Sequence, residues 1–182
     1  LHVTKGTSGS LLSALSGASN AFVVKPSGFA VSNIKQSASP FLVNPAAAGA
    51  GGAKFVKAGE SFTATVTAQT SGGAATPNFG KESPAEDVLL TPTLTQPAGG
   101  KAGALANGTL AGGSFNNGAA TATTLSYSEV GIVTLTPGVA DGNYLGAGSV
   151  SGAASANVGR FVPARFALSS PAVTAARGAR VV

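Results

Sequence analysis

The side chains that most often do chemistry in proteins are few in this chain. The 182 residues include a single histidine, His2, and no cysteine. A hydrolase triad needs a positioned base, and thiolate zinc sites or thiol nucleophiles need cysteine. His2 has no partner nearby in sequence. The residue types therefore predict no catalytic residue, no metal site and no cofactor.

Three of the six carboxylates, those of Glu82, Glu86 and Asp87, share one segment. Carboxylate oxygens bind hard cations such as Ca²⁺. The alternating Asp, Asn and Gly spacing of known calcium loops is missing, so a solvated acidic loop is the favoured interpretation and a cation site the alternative. Glu129 and Asp141 stand apart, which leaves no obvious carboxylate pair for general acid and base catalysis.

Two glycine-rich pieces end in lysine, at Lys54 and Lys101. A phosphate loop needs Ser or Thr after this lysine, but Phe55 and Ala102 follow instead, so both pieces are interpreted as turns. The sequence Asn107-Gly108-Thr109 fits an N-glycosylation motif. Its Asn-Gly pair also predicts a tight turn, and the turn is the favoured interpretation.

Composition and charge argue against several classes of partner. Only 9% of the residues are charged; eleven Lys and Arg against six Asp and Glu give a net charge of +5, and the cations are spread without a run. Nucleic-acid binding is therefore not expected. No apolar stretch approaches the ~18 residues that span a bilayer. Low charge with many hydroxyl and amide side chains is common in extracellular proteins, and the lack of cysteine is compatible with bacterial secretion.

Alternation of apolar residues and threonine predicts short β-strands. It is clearest over residues 62–68, where Phe, Ala, Val and Ala fall on one face and three threonines on the other, as in a half-buried antiparallel strand. Stretches 37–54 and 72–87 lack a pattern and are predicted to be surface loops. Pro92 predicts an edge or bent strand. Further strands are predicted over residues 88–94, 105–110, 119–127, 130–136, 144–145 and 148–158.

This series of strands, without a long helix, predicts an all-β fold. The expected architecture is an immunoglobulin-like antiparallel β-sandwich with long loops and extended flanking segments. The sequence Asp141-Gly142-Asn143-Tyr144 resembles the tyrosine corner of such domains, which makes Tyr144 the corner candidate. Tyr127 is expected to be a buried corner tyrosine and Glu129 a capping carboxylate, with a ligand site as the alternative.

The start of one module occurs twice in the chain. Pro-Ser-Gly-Phe-Ala-Val-Ser at residues 26–32 recurs as Pro-Ala-Arg-Phe-Ala-Leu-Ser at residues 163–169, with four of seven positions identical. The repeat predicts a linker or the end of a preceding module over residues 1–21, a β-sandwich module over residues 22–160, and the start of a following module or a strand-exchange tail over residues 161–182. Residues 11–21 also resemble the tail of a signal peptide, which stays an alternative.

The repeat also predicts which residues lie at a junction between modules. Cations stand beside both copies, and we expect them to surround the contact with a neighbouring module or with another copy of the protein. Exposed sheet edges could support such contacts by strand addition. The junction candidates are Lys25, Pro26, Phe29, Arg160, Pro163 and Phe166.

An ordered series of short motifs lies at residues 24–29, 58–62, 76–80, 127–131, 141–146 and 158–166. In this order and spacing the motifs are similar to the C-terminal domain of unknown function of MshQ-like proteins, which are large bacterial surface proteins named from the mannose-sensitive haemagglutinin type IV pilus system. The resemblance covers about residues 22–170 and implies an extracellular, non-enzymatic, β-rich segment associated with pili or adhesion, without established catalytic or ligand residues.

The expected function is that of a structural, adhesion-associated module of a secreted bacterial surface or pilus-associated protein. It would space or display other domains, and it could assemble by strand addition or as a filament subunit. Expected partners are neighbouring modules or copies, with pilus components and surface glycans as further candidates. The alternative is a carbohydrate-binding module, which needs an exposed aromatic platform. The chain has no tryptophan and two tyrosines.

Overall fold

The computed structural model describes residues 18–167, which form eight β-strands and no α-helix. Two single 3₁₀ turns lie at Gly112–Ser114 and Tyr144–Gly146. The strands are β1 (Gly28–Gln36), β2 (Ser61–Gln69), β3 (Val88–Gln96), β4 (Leu105–Ala106), β5 (Thr109–Leu110), β6 (Ala119–Tyr127), β7 (Gly131–Val139) and β8 (Val158–Phe161).

The strands build two antiparallel sheets, in the orders β1-β2-β6-β4 and β5-β3-β7-β8. Immunoglobulin constant-type domains place strands A, B, E and D in one sheet and C, F and G in the other. The chain has the same arrangement, with β5 added beside β3. The all-β, immunoglobulin-like sandwich predicted from the sequence is confirmed.

Strand β2 shows why this sequence forms a sandwich. Its apolar residues Phe62, Ala64, Val66 and Ala68 are fully buried, while Thr65 and Thr67 lie on the opposite, partly solvated face. The Thr65 and Thr121 hydroxyls on paired strands are 2.9 Å apart, so they bond to each other across that face. Alternation at period two therefore places the apolar set inside and the hydroxyls outside.

The interior contains an aromatic cluster toward each end of the sandwich, with ring centroids 4.8–6.0 Å apart. Most of these pairs are edge-to-face or tilted, which suits the charge distribution of aromatic rings. One cluster consists of Phe29, Phe79, Phe115 and Tyr144, and the other of Phe55, Phe62, Tyr127 and Phe161.

The segment before β8 closes one side of the sandwich against β1. The Gly152 N–H donates to the Pro137 carbonyl at 2.8 Å, and the Val139 N–H donates to the Val150 carbonyl at 2.9 Å. A Cβ at Gly152 would lie 1.9 Å from the Phe29 carbonyl oxygen. Only glycine allows the two backbones to approach this closely.

Three strand predictions are wrong in detail. Residues 144–145 form a 3₁₀ turn in which Leu145 has φ 46°. The predicted strand 148–158 is regular only from Val158; before it, Gly148 has a positive φ and Ser151 forms an isolated bridge with Gly138. The predicted strand 105–110 divides into β4 and β5 because Asn107, with φ 57°, turns the chain from one sheet to the other.

The environment of Pro92 agrees with the edge-strand prediction. Strand β3 pairs with β7 along its length, but β5 pairs only with Val88 and Leu89 on the other side, and the Leu90 N–H donates to the Gly108 carbonyl. Since N–H groups of alternate residues point the same way, the position of Pro92 is one whose N–H would face the open edge. Proline therefore removes no ladder bond there.

Candidate module-junction surfaces at the two ends of the sandwich

The long strands give the sandwich two opposite ends. Gly28 pairs with Gln69, and Val88 with Val139, at one end; Gln36 pairs with Phe62, and Gly131 with Phe161, at the other. We call the first the Tyr144 end, formed by residues 22–27, 70–87, 110–118 and 140–149. The second is the Arg160 end, formed by residues 35–36, 54–60, 97–104, 128–130 and 160–167.

Lys25 and Pro26 fix the chain where it enters the Tyr144 end. The Lys25 Nζ donates to the carbonyls of Ala147 and Ser149 at 2.8 and 3.0 Å, and Pro26 is buried. The Ser27 N–H then donates to the Gln69 carbonyl at 2.8 Å, which leads directly into β1. These contacts join the entering segment to the connection between β7 and β8.

Tyr144 lies in that connection and is buried. Its hydroxyl donates to the Glu82 carboxylate, and its ring stacks on Phe79 with centroids 6.0 Å apart. Burial, and then the hydrogen bond to Glu82, raise the pKa of the Tyr144 hydroxyl because both favour the protonated form. A tyrosine corner bonds instead to backbone at the E–F corner, so the contact that Tyr144 makes differs from the one predicted.

The acidic loop uses its carboxylates to hold neighbouring backbone. Glu82 accepts from the Gly80 N–H at 2.6 Å, Glu86 from the Leu145 N–H at 2.9 Å, and Asp87 from the Gly112 N–H at 2.8 Å. Within residues 18–167 no group of three or more His, Asp or Glu side chains is placed to hold a metal ion. The three carboxylates thus connect the loop after β2 to the loops that precede β6 and β8.

A groove of roughly 540 Å³ lies at the Tyr144 end, between the entering segment and the loop after β2. Its apolar lining includes Val24, Pro77, Phe79 and Leu145. The lining residues Phe22, Val23 and Val24 are 78%, 46% and 76% exposed. Exposed residues of this size in consecutive positions are typical of a contact surface.

The chain leaves at the Arg160 end. Val162 forms a parallel bridge with Lys57, and its N–H donates to the Val56 carbonyl at 3.1 Å. The Arg160 guanidinium donates to the Ala50 carbonyl. Pro163 is exposed and lines a smaller groove of roughly 260 Å³, and Phe166 is 92% exposed.

The structure thus places the junction candidates in two groups at opposite ends. Lys25, Pro26 and Phe29 lie at the Tyr144 end. Arg160, Pro163 and Phe166 lie at the Arg160 end. Phe29 is only 3% exposed and contacts Phe79 edge-on at 5.3 Å, so its role in this chain is core packing. Residues 1–17 and 168–182 lie outside the described residues; they contain His2, most of both predicted flanking segments and the end of the repeat.

Sequence reasoning missed Phe79, which is 2% exposed and contacts three other aromatic rings. The stretch 72–87 was predicted to be a surface loop, and its backbone is irregular, but it inserts this ring into the core. Ala47, in the other patternless stretch, is also buried. The sequence feature that could have indicated the buried ring was a single phenylalanine between the turn residues Asn78 and Gly80.

Tyr127 and Glu129 occupy the turn between β6 and β7. Tyr127 is fully buried, and its hydroxyl accepts from the Gly103 N–H at 2.7 Å. The Glu129 carboxylate accepts from the Val130 N–H at 2.8 Å. The sequence predicted a buried corner tyrosine and a capping carboxylate for this pair; the bond of Tyr127 to the Gly103 backbone was not predicted.

Among the described residues no helix is long and apolar enough to cross a membrane. Two family models match the chain: "DUF6701, second domain" over residues 25–126 and "DUF6701, third domain" over residues 129–179. Searches of curated proteins and of solved structures found no match.

The two matches meet in the turn between β6 and β7, yet both contribute strands to one sandwich. Strands β1 to β6 lie in the first match, except for the last residue of β6, Tyr127, and β7 and β8 lie in the second. Strand β3 pairs with β7 from Val88 to Gln96, so the sheet crosses the boundary between the matches. With more than half of its residues covered by the first model alone, the chain belongs to DUF6701, the family of the MshQ-like proteins.

Proposed function

We propose that this chain is a non-enzymatic structural module of a secreted bacterial surface or pilus-associated protein, in which it spaces or displays an adhesive domain. One observation carries the proposal: the chain enters the sandwich at the Tyr144 end and leaves it at the Arg160 end. Modules with opposed termini join into an extended rod, whereas modules with adjacent termini fold back on each other.

The length that one module adds follows from its strands. The long strands have nine residues each, which at about 3.3 Å per residue corresponds to about 30 Å. The hydrogen bonds of Lys25 at one end and of Val162 at the other fix the direction in which the chain enters and leaves. Both features suit a stiff spacer.

The repeated motif supports the placement of this module in a series. In the first copy Pro26 and Phe29 are buried in the sandwich, while in the second copy Pro163 and Phe166 are exposed. We interpret the second copy as the first strand of a following module, whose sheet would cover Phe166.

Replacement of the module in its parent protein tests the spacer role. Deletion of residues 25–162 should reduce attachment of the bacteria, because the adhesive domain would lie about 30 Å closer to the cell surface. An unrelated immunoglobulin-like sandwich with opposed termini, inserted in place of the deletion, should restore attachment at equal expression. Failure of that replacement, with the natural sequence active, would show that a specific surface of this module is needed and would contradict a pure spacer role.

The proposed location has its own test. Antibodies raised against the purified chain should label intact bacteria that carry the parent gene. Labelling only after permeabilisation would contradict a surface location.

Binding of the purified chain on a glycan array would instead favour a carbohydrate-binding module, although both tyrosines, Tyr127 and Tyr144, are buried.

A further inference from the structure

The charged residues of the described part of the chain are distributed unequally between the two ends. At the Tyr144 end two cations, Lys25 and Lys81, stand against four carboxylates, those of Glu82, Glu86, Asp87 and Asp141, so the formal charge is −2. At the Arg160 end six cations stand against Glu60 and Glu129, so the formal charge is +4. These cations are Lys35, Lys54, Lys57, Lys101, Arg160 and Arg165, with Lys35 on the last part of β1.

The difference in charge between the ends comes from folding, because long strands carry the chain from one end to the other. Lys81 and Glu82 lie at the Tyr144 end before β3, whereas Lys101 lies at the Arg160 end after β3. Asp141 and Glu129 are likewise separated by the length of β7. Most of the cations are exposed, as are Asp87 and Asp141, whereas Glu82 and Glu86 are partly buried.

Each end also combines its charge with exposed apolar residues. Phe22 and Val24 border the apolar groove at the acidic Tyr144 end. Phe166 projects from the basic Arg160 end, where Phe41 on the adjoining edge of β1 is 56% exposed. An apolar centre with a polar rim, and complementary charge across the contact, are features of specific protein interfaces.

We infer that the acidic Tyr144 end is a docking surface for the basic Arg160 end of a second copy of this chain, which takes the place of a preceding module. The contact would be head-to-tail, so it continues the direction of the chain. This inference rests on the proposed function, to which it adds the surface that joins consecutive modules. Short linkers hold neighbouring modules at an effective concentration of about 1 mM, so a dissociation constant near this value is sufficient.

Sedimentation of the purified chain at up to 1 mM tests the inference. The Debye length falls from about 30 Å at 0.01 M salt to about 3 Å at 1 M. We therefore expect concentration-dependent association at 0.01 M salt, with a dissociation constant at least tenfold higher at 1 M. An absence of association at 1 mM chain and 0.01 M salt would overturn the inference.

Charge reversal at each end identifies the surfaces. Lys54→Glu, Lys57→Glu and Lys101→Glu change the Arg160 end from +4 to −2, and Asn78→Lys with Asp141→Lys changes the Tyr144 end from −2 to +1. The dissociation constant for self-association of each variant should be at least tenfold higher than that of the unaltered chain. An equimolar mixture of the two variants should associate again. Ser32→Glu with Thr93→Glu, on exposed strand positions away from the ends, is the control and should associate like the unaltered chain.

Unchanged self-association in either end variant, or no recovery on mixing, would overturn the inference. Thermal unfolding verifies that each variant is folded, and Lys57→Gln with Lys101→Gln is the milder replacement if the triple reversal unfolds the protein. The replacement experiment measures attachment of whole bacteria, whereas sedimentation measures association of the purified chain, so the two results are obtained separately. The spacer role can therefore fail while the docking surface holds, and the reverse.

Discussion

The contact between Gly152 and β1 predicts that Gly152→Ala is strongly destabilising. The added Cβ would lie 1.9 Å from the Phe29 carbonyl oxygen and 2.9 Å from Cγ of Pro137. A carbon and a carbonyl oxygen ordinarily approach to about 3.3 Å, so the two backbones would have to separate by more than 1 Å. Neither is free to move, because Gly152 is bonded to Pro137 and β1 is paired with β2.

Overpacking of this kind costs about 3 kcal/mol, the upper part of the usual range. For a domain of this size the midpoint of thermal unfolding should fall by about 6–12 °C. Urea unfolding measures the free energy, and Gly51→Ala is the matched control, since no atom lies within 4 Å of its added Cβ. The control should stay within about 0.5 kcal/mol of the unaltered chain. If Gly152→Ala also stays within that range, the closed contact between β1 and the segment before β8 does not exist in solution.

Three further predictions concern the Tyr144 end. Tyr144→Phe removes the hydroxyl that donates to Glu82 and should reduce the free energy of urea unfolding by about 2 kcal/mol, as for a hydrogen bond to a charged group; an unchanged midpoint would contradict this bond. The pKa of Tyr144 is raised in the folded protein, so above pH 10 the folded state retains a proton that the unfolded state loses. The contribution of Tyr144 to stability is therefore complete below pH 10 and declines above it. Urea titrations between pH 8 and 11 should show this decline in the free energy of unfolding, and Tyr144→Phe should weaken it. Gly118→Ala combines φ +78° with a Cβ only 2.5 Å from the Thr76 carbonyl oxygen, so it should lower the thermal midpoint far more than Gly113→Ala, whose Cβ meets no atom within 4 Å, and equal midpoints would refute the tight packing of this turn.

The strands that could be predicted were those with a complete local pattern. Strand β2 repeats apolar and threonine residues with period two, and its prediction over residues 62–68 nearly matches Ser61–Gln69. Strand β6 was predicted with its observed bounds, since Asn117-Gly118 gives a turn with positive φ at both residues just before it. In both cases the residues that decide the structure are neighbours in sequence.

The contacts of the Tyr144 end could not be predicted, since they join residues far apart in the chain. Glu82 and Tyr144 are 62 residues apart, and Lys25 bonds to carbonyls more than 120 residues away. The same residue types are also compatible with a tyrosine corner and an exposed cation at a junction, which the sequence predicted. Only packing around Phe79 selects the observed arrangement.

By itself the sequence determined that this protein is a sandwich of small-residue strands, because period-two burial and turn chemistry are properties of adjacent residues. It also contained the repeated motif and the resemblance on which the functional expectation depends. The tertiary structure alone decided which end each loop occupies, and with it the opposed termini, the closed contact at Gly152 and the separation of charge. The physical reason is that a strand of nine residues displaces the chain by about 30 Å, so strand pairing, and not sequence distance, sets which side chains become neighbours.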